Sequence, residues 1–374
     1  MTASDAEIAA TVSAICERAA GVRGDVREVV AAQVDRVAPL VSPATRDALI
    51  AGAVARLDGL DALEVHLRDP DVDEVMVNAG RDVWVERHGV MRLAGQLPPG
   101  AIEVVLERVL GPTGRRVDRT HPIVDLRLAS GARLCAVIDP VAVDGTSVAI
   151  RQHRKRPFPL AEFAGDRTVV ALLDELITTR CNVLVSGATS SGKTTFVAAL
   201  LRRVDPADRL VVCEDTAELM LDGRHAVRME ARAGSVDGLA PVDLATLVRA
   251  ALRLRPDRLV VGEFRGTEVL AAVEAMNTGH DGSLSTCHAN SAVDALRRVE
   301  TLLMQAAPTW PLPAIRRQVS RSIDVVVHLE RDRAGQRRVA EIAEVEEGDG
   351  EPAVCRLATS DGVVGPLTRH RARR

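Results

Sequence analysis

Residues Val183 to Thr195 read VLVSGATSSGKTT, and the fold turns on how that run is divided. The stretch CNVLVSG (181–187) is a short apolar run of strand type, and KTTFVAALLRRV (193–204) has the apolar spacing of a helix. Between them, Gly187 to Thr194 fits the pattern G-x-x-x-x-G-K-[ST]. Set between a strand and a helix, such a loop aims its backbone N–H groups and a helix N-terminus at phosphate groups. Gly187, Ala188, Thr189, Ser190, Ser191, Gly192, Lys193, Thr194 and Thr195 are therefore candidate phosphate contacts. Lys193 is expected to bridge the β and γ groups of ATP, and the Thr194 hydroxyl to be a ligand for Mg²⁺. Only Lys155 and Lys193 among the 48 basic residues are lysine. A compact ammonium enters a phosphate nest where a planar guanidinium does not, a physical reason for lysine at 193.

Working outward, RLVVCED (209–215), LATLVRAALRL (244–254) and RLVVGEF (258–264) continue the strand and helix alternation. This predicts an α/β unit with a parallel-rich sheet, a RecA-like P-loop domain over residues 166–345. Upstream, residues 1–60 carry helix-period apolar positions such as Ile8, Val12 and Ile15 and read as a helical extension. From Asp69 the pattern alternates, with turns at Asn78-Ala79-Gly80 and Ser130-Gly131 and a helix over 101–110. That describes a smaller α+β domain over 61–151. The proline-bearing basic stretch RQHRKRPFPLAEF supplies a linker over 152–165, and residues 346–374 lack a core pattern and read as a partly disordered tail.

A chain of 374 residues exceeds one compact core. No stretch reaches the roughly 20 apolar residues that cross a bilayer, and the acidic N-terminus does not resemble an export signal, so a cytoplasmic setting is expected. The six cysteines form no C-x-x-C pair, which fits reduced thiols and disfavours structural zinc. A net charge of -4 with 2% aromatics gives no general pull toward nucleic acid.

Hydrolysis needs more than a phosphate loop. Glu263 closes the strand RLVVGE, where a carboxylate orients the attacking water; a structural carboxylate is the plainer alternative. Glu214, Asp215 and Glu218 follow the strand in CEDTAEL, either as acids near a metal-bound triphosphate or as helix caps through Asp215 or Thr216. In MNTGHDGSLSTCHAN, His280 and His288 lie in a stretch rich in small polar residues. They are candidates for sensing the γ-phosphate, against ordinary surface or core histidines.

The series GATSSGKTT, CEDTAEL, LRLRPDRLVVGEFRG and NTGHDGSLSTCHAN resembles, in order and spacing, the Walker A, Asp box, Walker B and His box of the secretion-superfamily hexameric ATPases. LRDPDVDEVMVN, VWVERHG, VDLRLASGARL and VAIRQ are similar to the CpaF/TadA-type motors of Flp (type IVc) pilus assembly, related to type II and type IV secretion ATPases. The resemblance spans residues 60–330. It implies a cytoplasmic hexamer acting at the inner face of the membrane through a membrane-embedded platform protein, with no specific nucleic acid partner. Arg127 and Arg133 would close on the γ-phosphate, and Arg151 would lie near the nucleotide; a solvated strand face is the plainer role for each. Two departures stand out. Ala188 and Ser190 replace glycines of the usual GGTGSGKT, which would strain the loop wherever φ must be positive, and no four-cysteine insertion is present, which disfavours the type II branch. A type IV secretion (conjugation) motor is the nearest alternative. A nucleic-acid translocase and a nucleotide-gated scaffold are more distant ones.

Overall fold

The computed structural model describes residues 5–22, 24–87, 89–152, 158–221, 223–232, 234, 240–332 and 335–369. They form two units, one holding the described residues up to 152 and the other those from 158.

The first unit begins with helices α1 (Asp5–Ala19), α2 (Val26–Val37) and α3 (Pro43–Asp58). Asp25 and Ser42 cap α2 and α3 by accepting from the backbone N–H groups of Glu28 and Thr45, each cap contributing about 1 kcal/mol. One apolar stripe per helix buries Ile15, Val30, Val34, Leu49 and Ala53 in a core of their own. A short helix α4 (Glu64–Leu67) leads to strands β1 (Val72–Asn78), β2 (Asp82–Arg87) and β3 (Val90–Gln96), helix α5 (Ala101–Leu110), and strands β4 (Ile123–Arg127), β5 (Arg133–Val137) and β6 (Ser147–Arg151). The six strands form one antiparallel sheet in the order β3-β2-β1-β6-β5-β4. Strict alternation sends Val75, Val77, Leu134, Ala136, Val148 and Ile150 to a core shared with Ile102 and Leu106 of α5. The other face of the sheet carries the charged residues discussed below.

The second unit comprises α6 (Ala161–Ala164), α7 (Arg167–Thr178), β7 (Val183–Gly187), α8 (Lys193–Leu201), β8 (Leu210–Glu214), β9 (Ala226–Glu230), α9 (Leu244–Ala251), β10 (Arg258–Val261), α10 (Glu268–Asn277), β11 (Leu284–Cys287), α11 (Ala292–Ala306), α12 (Leu312–Ser322), β12 (Val325–Arg331), β13 (Arg337–Val345), β14 (Val354–Thr359) and β15 (Gly362–Val363). Nine strands lie in the order β15-β14-β13-β12-β7-β11-β10-β8-β9. From β12 to β9 all neighbours are parallel, and β13, β14 and β15 extend the sheet antiparallel. Helices α7 and α8 pack on one face through Leu173, Leu176, Phe196 and Leu200, and α9 to α12 cover the other. Every residue of β7, β8, β10 and β11 is buried. A sheet covered on both faces favours apolar runs, as in β7, β8 and β10, whereas β11 buries Ser285 and Thr286 as well. At the amino ends of the strands, the buried Asp208 accepts from Arg180 (Nη1, 3.0 Å) and from Arg258 (Nε, 2.9 Å).

The structure differs from the sequence reading at both ends of this unit. Residues 161–164, assigned to a linker, form α6, whose Phe163 stacks edge-on against Phe196 at 5.2 Å. Residues 153–157 of that linker lie outside the described residues. The stretch from 346, expected as a tail, supplies β14 and β15 to the sheet, with Leu357, Ala358 and Leu367 buried. Arg369 fixes the chain beyond them: its guanidinium donates to the carbonyls of Ser320, Ile323 and Val345 and pairs with Asp324 at 3.3 Å. Residues 370–374 lie outside the described residues.

Candidate active site

Parallel register brings the predicted chemistry to one edge of the second sheet. Ser186 pairs with Cys287, Val261 with Ser285, and Val261 with Cys213. The segments that follow, 188–192, Glu214, Gly262–Glu263 and His288, therefore leave the sheet together at the carboxyl ends of the strands, where open α/β sheets bind ligands.

The phosphate loop is shaped by two glycines. A Cβ on Gly187 would lie 2.5 Å from the Leu329 carbonyl oxygen of β12, and one on Gly192 would lie 2.7 Å from Arg337 Cδ. Both glycines also have positive φ, +151° and +94°. Of the two residues that replace glycine, only Ser190 takes a left-handed backbone, with φ +62°. The strain expected of Ala188 is absent, and that of Ser190, about 1–2 kcal/mol, is present. Lys193 opens α8, is 7% exposed, and donates from Nζ to Gly187 O and Ala188 O, both at 3.0 Å. Thr194 and Thr195 stand half-buried on the first turn of α8, and Ala188 and Thr189 are exposed. The Ser191 hydroxyl is buried and makes no hydrogen bond.

A polar chain runs from this loop to the predicted acid. Lys193 Nζ lies 3.2 Å from His288 Nδ1, and His288 Nε2 lies 3.2 Å from Glu263 Oε1. Lys193 can only donate, so Nδ1 accepts and the ring proton sits on Nε2, directed at Glu263. Desolvation and the Lys193 ammonium hold the His288 imidazole below its ordinary value, so it is neutral at pH 7. The far oxygen of Glu263 is bound by Arg265 Nη2 at 2.7 Å.

Glu214 is 3% exposed. Its Oε1 accepts from the N–H groups of Glu218 and Leu219, both at 3.0 Å, and its Oε2 is buried without a hydrogen-bond partner. Burial pushes this carboxyl up to about 7, against those two hydrogen bonds and the charge of Arg228. No helix follows β8 in residues 215–221, so Asp215 and Thr216 cap none, and it is Glu214 that binds the backbone of this loop. Glu218 contributes its backbone N–H to that contact, and its half-buried side chain stays in the same loop.

His280 does not belong with this group. It lies between α10 and β11, its Nδ1 donates to Ala275 O at 3.2 Å, and the neighbouring Gly282 N–H donates to Asn182, which precedes β7. It stands at the amino ends of the strands, separated from His288 by the length of β11, about 13 Å for four residues. The expected nucleotide contact at His280 is corrected accordingly.

Arg127, Arg133 and Arg151 occur in the first unit as direct cross-strand neighbours, Arg127 with Arg133 and Arg133 with Arg151. Glu74 continues the row opposite Arg151. Three guanidinium groups abreast repel one another, although Asp125 lies 3.7 Å from Arg133 and Glu74 faces Arg151. Such a row suits an anion. Two site residues escaped the sequence reading, Arg331 and Arg337 of the β12–β13 hairpin, which lie against the loop at Ser190 and Gly192. Their only sequence signal is the basic run between Arg331 and Arg338.

Residues 57–366 match the family described as type II/IV secretion system protein. The chain belongs to that family. The conjugal transfer protein TrbB of Rhizobium radiobacter is 35% identical over 295 residues, which cover 76% of this chain and 87% of TrbB. The type IV secretion system protein PtlH of Bordetella pertussis is 33% identical over 328 residues, 79% of this chain and 95% of PtlH. Among solved structures, the pilus retraction motor PilT with bound ADP aligns with TM-score 0.56 at 20% identity, covering 75% of this chain and 81% of PilT. The last likeness bears on the fold alone.

Proposed function

We propose that the chain is an Mg²⁺-dependent ATPase that works as a ring-forming motor of a type II/IV-class secretion machine. The observation that carries this reading is the chain Lys193–His288–Glu263, which connects the phosphate loop to the acid at the end of β10. Lys193 and the loop N–H groups hold the triphosphate. When the phosphates draw Lys193 away, His288 loses the donor at Nδ1, and its hydrogen bond to Glu263 changes with it. Glu263 orients the attacking water and accepts its proton. The arginine row of the first unit (Arg127, Arg133, Arg151) neutralises charge that develops on the γ-phosphate, in keeping with the resemblance.

The residues present suit Mg²⁺ held through the nucleotide: Thr194 offers a hydroxyl, and Glu214 has a buried oxygen with no partner. Among the described residues no cluster of three His, Cys, Asp or Glu would hold a metal without the nucleotide. Bound there, Mg²⁺ neutralises charge shared by the β- and γ-phosphates.

No helix among the described residues is long and apolar enough to cross a membrane. We infer a cytoplasmic hexamer that acts on a separate platform protein in the membrane. The cargo reading is Flp/Tad-type pilus assembly or, as the names of TrbB and PtlH favour, type IV secretion and conjugation. The test is ATP turnover by the assembled oligomer. Lys193→Ala should abolish binding and turnover, and Glu263→Gln should bind ATP without hydrolysing it. Full turnover in either variant would sink the assignment.

A further inference from the structure

Arg331 and Arg337 are the cross-strand pair next to the turn of the β12–β13 hairpin. Strand β12 runs beside β7 in parallel register, with Leu329 opposite Gly187, so a rigid element delivers Arg331 to the phosphate loop. The Arg331 Nε–H donates to the Ser190 carbonyl oxygen at 2.8 Å. On the other side of the hairpin, the Arg337 guanidinium lies 6.0 Å from the Phe158 ring centroid, and Phe158 packs edge-on against the buried Phe163 at 6.1 Å. The turn end of the hairpin is thus anchored to the core and grips the loop at its middle.

Ser190 is the residue that needs the grip. Its φ of +62° belongs to the left-handed region, which glycine enters freely and serine does not. If the peptide after Ser190 relaxed toward an ordinary conformation, its carbonyl would swing inward and the following N–H groups would turn away from the anion. We propose that Arg331 is a positioning residue of the phosphate loop, holding the Ser190 peptide in the turn that glycine would adopt unaided. The inference rests on the nucleotide-binding reading above and adds a residue to it from outside the loop.

The test is a double-mutant cycle read as the affinity of the full-length protein for a fluorescent ATP analogue with Mg²⁺. Arg331→Ala should weaken binding about five- to 30-fold in the natural background, the size of the strain that is released. In the Ser190→Gly background the same change should cost less than about twofold, because glycine holds the turn alone. Arg331→Lys should behave as Arg331→Ala, since it keeps the charge and loses the Nε–H. Melting of the nucleotide-free protein is followed in parallel, and Arg331→Lys takes the place of Arg331→Ala if the latter melts early. Equal losses in the natural and the Ser190→Gly backgrounds would overturn the proposal, and so would no loss in either. Failure of the unsubstituted protein to bind the analogue would refute the nucleotide reading instead.

Discussion

Replacing Glu214 by glutamine should stabilise the second unit in alkali and leave it almost unchanged in acid. The carboxyl is buried, one oxygen is occupied by two backbone N–H groups, and the other has no hydrogen-bond partner. Its value moves from an ordinary 4.5 to about 7. The folded chain therefore binds this proton more tightly than the unfolded chain. The resulting stability is complete below pH 4.5 and is lost as the pH rises through 7, a swing of about 3 kcal/mol. Glutamine keeps an oxygen for the two N–H groups and cannot ionise, so it escapes the loss. The chain has two tryptophans, Trp84 in the first unit and Trp310 against the core of the second. In a Trp84→Phe background, urea unfolding followed by Trp310 fluorescence reports the second unit alone. Glu214→Gln should exceed its parent by about 3 kcal/mol near pH 8.5 and by much less near pH 5. ATP turnover should fall in the same variant, since a destabilising buried acid is tolerated where chemistry uses it. A stability difference that is equal at the two pH values would refute the reasoning.

Lys193→Ala should raise the His288 value toward that of a free imidazole, because it removes a cation whose charge holds it down; NMR titration of the ring would show no movement if the two groups were not in contact. Gly187→Ala should cost about 2 kcal/mol or more in thermal stability, since the added methyl meets the backbone of Leu329 at 2.5 Å and must adopt positive φ. Asp208→Ala should cost about 3–5 kcal/mol, because it strands the Arg180 and Arg258 guanidinium groups that Asp208 pairs; a loss below about 1 kcal/mol in urea unfolding would contradict that account. Arg133→Ala should lower turnover about 100-fold or more with ATP affinity little changed, and a raised KM with kcat unchanged would argue for ground-state binding instead.

What the sequence made legible follows from how local each signal is. The phosphate loop, β7 and α8 occupy one continuous run, and the helix at 101–110 has matched boundaries because its apolar stripe is complete. The two histidines show the opposite case. They sit eight positions apart, yet the four residues of β11 carry them to opposite edges, and LSTC is too short and too polar to announce a buried strand. Strand β9 is an edge strand with half-buried residues and leaves no clear alternation. Strand β14 pairs through a bulge at Ile342/Ala343 of β13, which breaks the regular pattern at the end of the sheet. Arg331 reaches Ser190 across 141 positions, a contact no local pattern encodes.

The arginine row has a consequence for the first unit as a folded object. Setting Arg127, Arg133 and Arg151 side by side adds mutual repulsion to the native sheet, which Asp125 beside Arg133 and Glu74 opposite Arg151 offset in part. An anion that bridges them relieves what repulsion remains in the folded form and has no equivalent seat on the unfolded chain. Sulfate or phosphate in the buffer should thus raise the melting temperature of this unit at an ionic strength where chloride does not. Its robustness in the test tube becomes a property of the salt as much as of the sequence.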